Sequence, residues 1–80
     1  MNRQQIRERL REIVKDILQE DVTVEETSRF DRDLSMDSLA MVELGMAVEA
    51  TFHIEIRGQD LDGLKTVADL INTIQEHGGK

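Results

Sequence analysis

The stretch D-L-S-M-D-S-L-A-M-V-E-L-G-M-A-V-E-A-T-F, Asp33 to Phe52, decides how this chain folds. From Ser38 to Thr51 it holds one glycine and no proline, so a helix is predicted there, with Asp37 as its N-cap. At a helical pitch, Met41, Leu44, Val48 and Phe52 gather on one side as a core stripe. Leu39, Val42 and Met46 fall on another side, flanked by Glu43 and Glu49. An amphipathic surface helix carries a single apolar stripe of roughly 100–140°. The second stripe is therefore either buried between neighbouring helices or left in water as a docking strip with an acidic rim. Met46 suits docking, because an unbranched thioether adapts to differently shaped partners. Ser38 stands at the helix mouth. A serine there is commonly a cap, but Asp37 can already cap, which leaves the Ser38 hydroxyl facing the positive end of the helix. Nothing nearby in sequence makes it a nucleophile. It suits a hydroxyl that is modified, and a phosphodiester on it would meet unpaired backbone amides.

On the N-terminal side, Ile6, Leu10, Ile13, Val14, Ile17 and Leu18 recur at spacings of three and four, which predicts an amphipathic helix over Asn2 to Gln19. Glu20 to Met36 is polar, with isolated apolar anchors at Val22, Val24, Phe30 and Leu34. A loop that long in a small domain is functional or fastened by its own side chains. Beyond Gly58, Gln59 to Gly63 allows one short helical turn. T-V-A-D, Thr66 to Asp69, resembles a capping box for a last helix with Val67, Leu70, Ile71 and Ile74 on its face, ending at His77-Gly78-Gly79-Lys80. H-I-E-I, His53 to Ile56, alternates like a strand but has no partner strand. The predicted fold is all-α, a small four-helix bundle of three main helices and one short one, in a single domain over residues 1–80.

Eighty residues allow only a modest core, and without cysteine no disulfide or thiolate metal site reinforces it. No run approaches the ~20 apolar residues that would span a bilayer, and no targeting segment is visible, so a soluble, cytoplasmic, monomeric protein is expected. The net charge of −7 is uneven. Residues 1–15 set Arg3, Arg7, Arg9, Arg11 and Lys15 against Glu8 and Glu12, whereas residues 16–62 hold thirteen acids against three arginines. Such a body repels phosphate backbones, and with Phe30 and Phe52 as its two aromatics it lacks a stacking platform for bases. Its field suits solubility, or steering toward basic patches on partner proteins.

Around D-S-L, Asp37-Ser38-Leu39, the chain resembles an acyl carrier protein. V-E-L, F-x-I-E-I and K-T-V-A-D-L-I stand at matching distances, and the likeness runs over essentially the whole sequence. The resemblance implies an acyl-carrier-protein-like bundle that is not an enzyme. A phosphopantetheinyl transferase would place 4′-phosphopantetheine from coenzyme A on Ser38, making a phosphoprotein that carries acyl groups as thioesters. Partners would be an acyl-loading enzyme, a ketosynthase, an acyltransferase or similar, in fatty acid, polyketide or related secondary-metabolite biosynthesis. By position, the residues such partners read are Asp37, Leu39, Val42, Glu43, Met46 and Glu49. A growing chain can tuck between the helices of the family, which makes Met41, Leu44, Val48 and Leu64 candidate walls of an acyl pocket. Some features depart from the family pattern. Ser35 stands where many members have Gly, and Arg57 where Pro is common. Gly45 inside the helix should cost ~1 kcal/mol relative to Ala. Ala40, Ala50 and Thr51 thin the acidic face where carriers of primary fatty acid synthesis are acidic or polar.

Other readings compete. Peptidyl carriers more often place another residue, commonly His, before the serine, so Asp37 favours acyl cargo, with an aminoacyl or peptidyl carrier as the alternative. A helical adaptor would leave Ser38 unmodified. Asp31, Asp33, Ser35 and Asp37 also occupy positions 1, 3, 5 and 7 of an EF-hand-like calcium loop. That template wants Gly sixth and Glu twelfth, where this chain has Met36 and Val42. Catalysis of its own would need a positioned base. Only His53 and His77 are available, and neither is linked in sequence to Ser38.

Overall fold

Four helices follow one another in the computed structural model, which describes residues 1–78: α1 (Arg3–Leu18), α2 (Ser38–Phe52), α3 (Gly58–Asp62) and α4 (Val67–Gly78). The all-α bundle expected from the sequence is the observed one. Among the described residues, H-I-E-I forms no strand, and the β pairing is a single antiparallel bridge between Arg29 and Thr66. Gly79 and Lys80, read as part of the last terminator, lie outside the described residues. No helix among those described is long and apolar enough to cross a membrane.

The helices end where side chains satisfy backbone groups that the helix leaves open. At the start of α1, the Gln5 amide donates to Asn2 Oδ1 (2.8 Å) and the Asn2 amide donates to Gln5 Oε1 (2.9 Å), a reciprocal box. Gln19 closes α1 in the left-handed region at φ 58°. Asn2 and Gln19 are thus caps, and α1 is one residue shorter at each end than its periodicity implied. The box predicted at Thr66 is present: Thr66 N–H donates to Asp69 Oδ2 (3.1 Å) and Asp69 N–H to Thr66 Oγ1 (3.3 Å).

Ile6, Leu10 and Val14 of α1, Leu44 and Val48 of α2, and Val67, Leu70, Ile71 and Ile74 of α4 make the core. The long loop adds Val24, Phe30, Leu34 and Met36 to it, so the isolated apolar residues of that polar stretch are anchors. Three arginines, one turn apart on α1, fasten the same loop. Arg3 Nη2 bonds Glu26 Oε1 (2.7 Å), Arg7 Nη1 donates to the Val24 carbonyl (3.0 Å), and Arg11 Nη2 bonds Asp21 Oδ1 (2.9 Å). Arg3 Nη1 also reaches Asn72 Oδ1 (2.6 Å) and Gln75 Oε1 (3.0 Å), tying the loop to α4. Three of the five cations in residues 1–15, conspicuous in the sequence, are thus engaged within the molecule.

The Arg3 guanidinium, chiefly by hydrogen bonding, holds the Glu26 carboxyl below its usual range. The Lys65 and Thr66 amides do the same for Asp69. Depressed carboxylates add stability that is complete above the unfolded value near pH 4 and is lost as pH falls through the folded value. Melting temperature followed from neutral pH into acid should therefore drop along this limb, and Asp69→Asn should make the drop shallower. An acid limb identical in the variant would refute the assignment.

Ser35 is also left-handed, at φ 52°, which explains why glycine suits its position. Ser35→Gly is expected to raise stability by roughly 0.5–1 kcal/mol, since that conformation costs an L residue about 1–2 and glycine's extra chain entropy returns about half. Urea unfolding measures this, and a lower midpoint would count against it.

Candidate functional site

The end of the long loop aims the start of α2. Phe30 N–H donates to the Lys65 carbonyl (3.1 Å) and Met36 N–H to the Phe30 carbonyl (2.8 Å), with both side chains buried. These bonds and the Arg29–Thr66 bridge hold the loop against the segment preceding α4. Asp37 follows in extended conformation, and its Oδ1 accepts from the Ala40 amide at 2.8 Å, as predicted for the N-cap. Ser38 is then the first residue of α2 and is exposed. With the cap bond made by Asp37, no hydrogen bond among the described residues engages the Ser38 hydroxyl.

Beside it lies a cavity of about 510 Å³, walled by Phe30, Met36, Met41, Val42, Leu61 and Leu64, with Arg29, Asp31, Asp37, Ser38, Asp62 and Lys65 around them. Of the four residues expected as pocket walls, Met41 and Leu64 line this space. Leu44 and Val48 do not, because both are fully enclosed in the core behind it (0% exposed).

The second stripe of α2 is in water. Leu39, Val42 and Met46 are 68%, 49% and 64% exposed, with Glu43 exposed beside them. Two neighbours differ from the sequence reading. Glu49 turns inward, and its Oε2 accepts the Ile56 amide at 2.9 Å, stapling the α2 exit. Ala40, expected to thin an acidic face, is buried under that face. Ala50 and Thr51 are exposed.

Two features escaped the sequence. Gly45 lies under α3: a Cβ there would sit 3.1 and 3.2 Å from the two methyls of Leu61. Arg57 caps α3 with its backbone, its N–H donating to Asp60 Oδ2 at 3.1 Å, a bond that proline could not make. Nothing local in the sequence signals either contact, although a glycine inside a helix was a cue to look for close approach.

The aspartates of the calcium-like register hold their own loop. Asp33 Oδ2 accepts the Arg29 amide (2.7 Å), and Asp31 pairs with Arg29 (3.3 Å), which keeps its carboxyl below the usual range. Among the described residues, no three His, Cys, Asp or Glu side chains converge as a metal site. His53 is the exposed left-handed C-cap of α2, and with His77 it lines a separate cavity rather than the one at Ser38.

Comparison with known proteins gives this geometry a context. The family model described as the phosphopantetheine attachment site matches residues 8–74. The chain is 42% identical over 76 residues to the acyl carrier protein of Clostridium perfringens, a match covering 91% of this chain and 97% of that one. The structure of an acyl carrier protein from Thermotoga maritima superposes with a TM-score of 0.85 at 27% identity, covering 95% of this chain and 89% of the other. A candidate acyl carrier protein from Mycobacterium tuberculosis superposes at 0.83, also at 27% identity, over 89% and 96%. The matched span holds the fastened loop, Ser38 and the whole of α2, and the chain belongs to the acyl carrier proteins, whose prosthetic group is 4′-phosphopantetheine.

Proposed function

We propose that Ser38 is the residue to which 4′-phosphopantetheine is attached, and that the chain thereby carries acyl intermediates between biosynthetic enzymes. The observation that carries this reading is the exposed Ser38 hydroxyl at the first position of α2, left unengaged because Asp37 makes the cap bond. The residues present fit the group. A phosphodiester on Ser38 meets the amides of the first turn and the positive end of the α2 dipole. The cavity beside it is apolar at its walls and open to solvent. When bound, the group supplies a terminal thiol on which acyl cargo is held as a thioester. Asp37 keeps the helix start in register, and Leu39 flanks the serine on the solvent side.

Leu39, Val42 and Met46, with Glu43 at their edge, are the surface that a phosphopantetheinyl transferase, an acyl-loading enzyme, a ketosynthase or an acyltransferase would grip. Their exposure supports this, because large apolar side chains grouped in water are characteristic of recognition surfaces. Glu49 supports the surface from behind through Ile56. The protein acts as a monomeric cytoplasmic carrier in fatty acid, polyketide or related synthesis and leaves bond-making to its partners.

Incubation with coenzyme A, Mg²⁺ and a promiscuous transferase should add one phosphopantetheinyl mass, and Ser38→Ala should add none. An unlabelled wild-type protein, or a labelled Ser38→Ala, would overturn the assignment. On the loaded carrier, Glu43→Lys or Met46→Ala should lower turnover by partner enzymes about tenfold while moving the melting temperature by less than about 4 °C. Unfolding in place of impaired turnover would mean the strip is structural.

A further inference from the structure

We propose that Gly45 is a specificity-determining position: its bare Cα seats Leu61 against α2 and so keeps the cavity beside Ser38 open for the apolar part of the cargo. The inference rests on Ser38 as the attachment point and assigns the wall that decides how much cargo fits. Leu61 is the one apolar side chain of α3, it packs on the core, and it lines the Ser38 cavity together with Met41 and Leu64. Otherwise α3 is lightly held. It contains no fully buried residue, and nothing lies within 4 Å of where a Gly58 side chain would start. The Leu61 isobutyl therefore sets where α3 rests, and it rests where Gly45 has no side chain.

A methyl at Gly45 would meet Leu61 at 3.1 and 3.2 Å, tighter than ordinary carbon contact, so the isobutyl would have to give by a few tenths of an ångström. The isobutyl can yield into solvent or into the adjoining space. Removing apolar surface from water favours the second. Leu61 would then press into the cavity that the cargo needs and narrow it. The occupant is the acyl group of this chain's own arm, because Ser38 borders the same space that Phe30, Met36, Met41 and Leu64 make apolar.

The test loads acetyl and octanoyl forms of the arm with a promiscuous transferase and the corresponding acyl-coenzyme A, verified by intact mass. The readout is the difference in melting temperature between the octanoyl and acetyl forms of one variant, which cancels the variant's own change in stability. Cargo bound in the native state raises stability, so the wild type should show a gain of several degrees, and Gly45→Ala should lose a measurable part of it. Gly45→Ala/Leu61→Ala should restore the gain. Leu61→Phe, which enlarges the wall side chain itself, should abolish it. A full gain in Gly45→Ala, or none in the wild type, overturns the inference while leaving Ser38 loading intact. Failure of the mass to change at all overturns the Ser38 assignment and this inference with it.

Discussion

Burial of the loop anchors is the constraint on which the rest of this structure depends. Glu20 to Met36 forms no helix, so side-chain contacts must offset the backbone entropy that ordering it costs. The ion pairs Arg3–Glu26 and Arg11–Asp21 lie at the surface, where solvent screens them, so they offset little of that cost. Burial of a large apolar side chain contributes about 1.5–3 kcal/mol, and Val24, Phe30, Leu34 and Met36 are all buried. The apolar anchors therefore hold the loop, and the arginines choose which turn of α1 each segment lies against. Met36 is the last anchor before Asp37. Its burial fixes the direction from which the chain enters α2, and so where the Ser38 hydroxyl points.

The same economy explains the exposed face of α2. The core has room for one stripe, and Leu44 and Val48 fill it against α1 and α4. α3 is five residues long and covers α2 near Gly45, too little to shelter Leu39, Val42 and Met46 as well. Those side chains remain in water, in a region where acids outnumber bases. On the proposed docking role, an apolar strip within an acidic field suits a partner that presents basic residues around an apolar groove, and such a field raises the rate of encounter before any contact forms. On that reading the apolar side chains of α2 would supply affinity, and the acids spread over residues 16–62 would supply steering.

Much of this was legible in the sequence, for a physical reason. Periodicity, capping and turn chemistry are local, so α1, the Asp37 cap, the Thr66–Asp69 box and the two stripes of α2 could be read from neighbouring residues. That the second stripe is exposed required knowing how large α3 is and where it lies. Long-range contacts were not legible. The pairing of Arg3, Arg7 and Arg11 with loop acceptors, and the inward turn of Glu49 onto Ile56, depend on the path of the chain between them. The wheel places Glu49 on the rim because it locates the Cα and not the end of a long side chain. Leu44 and Val48 sit on the core stripe of the wheel, and the structure keeps them there; only the family resemblance makes them pocket walls, and a resemblance does not separate a cavity wall from the core behind it.

Gly45 shows how a local penalty is kept for a tertiary reason. A glycine inside a helix costs about 1 kcal/mol against alanine, and intrinsic propensity would favour replacing it. The Leu61 methyls occupy the space that a side chain would need, so the gain from alanine is opposed by displacement of the one side chain that anchors α3. Filling the contact from α3 rather than from α2 has a mechanical consequence. The bulky group rides on the short helix, and any movement of α3 takes the wall of the Ser38 cavity with it. On the proposed role of Gly45, the α1–α2–α4 core need not deform for that cavity to change volume, and stability and cargo capacity would rest on separate parts of one small bundle.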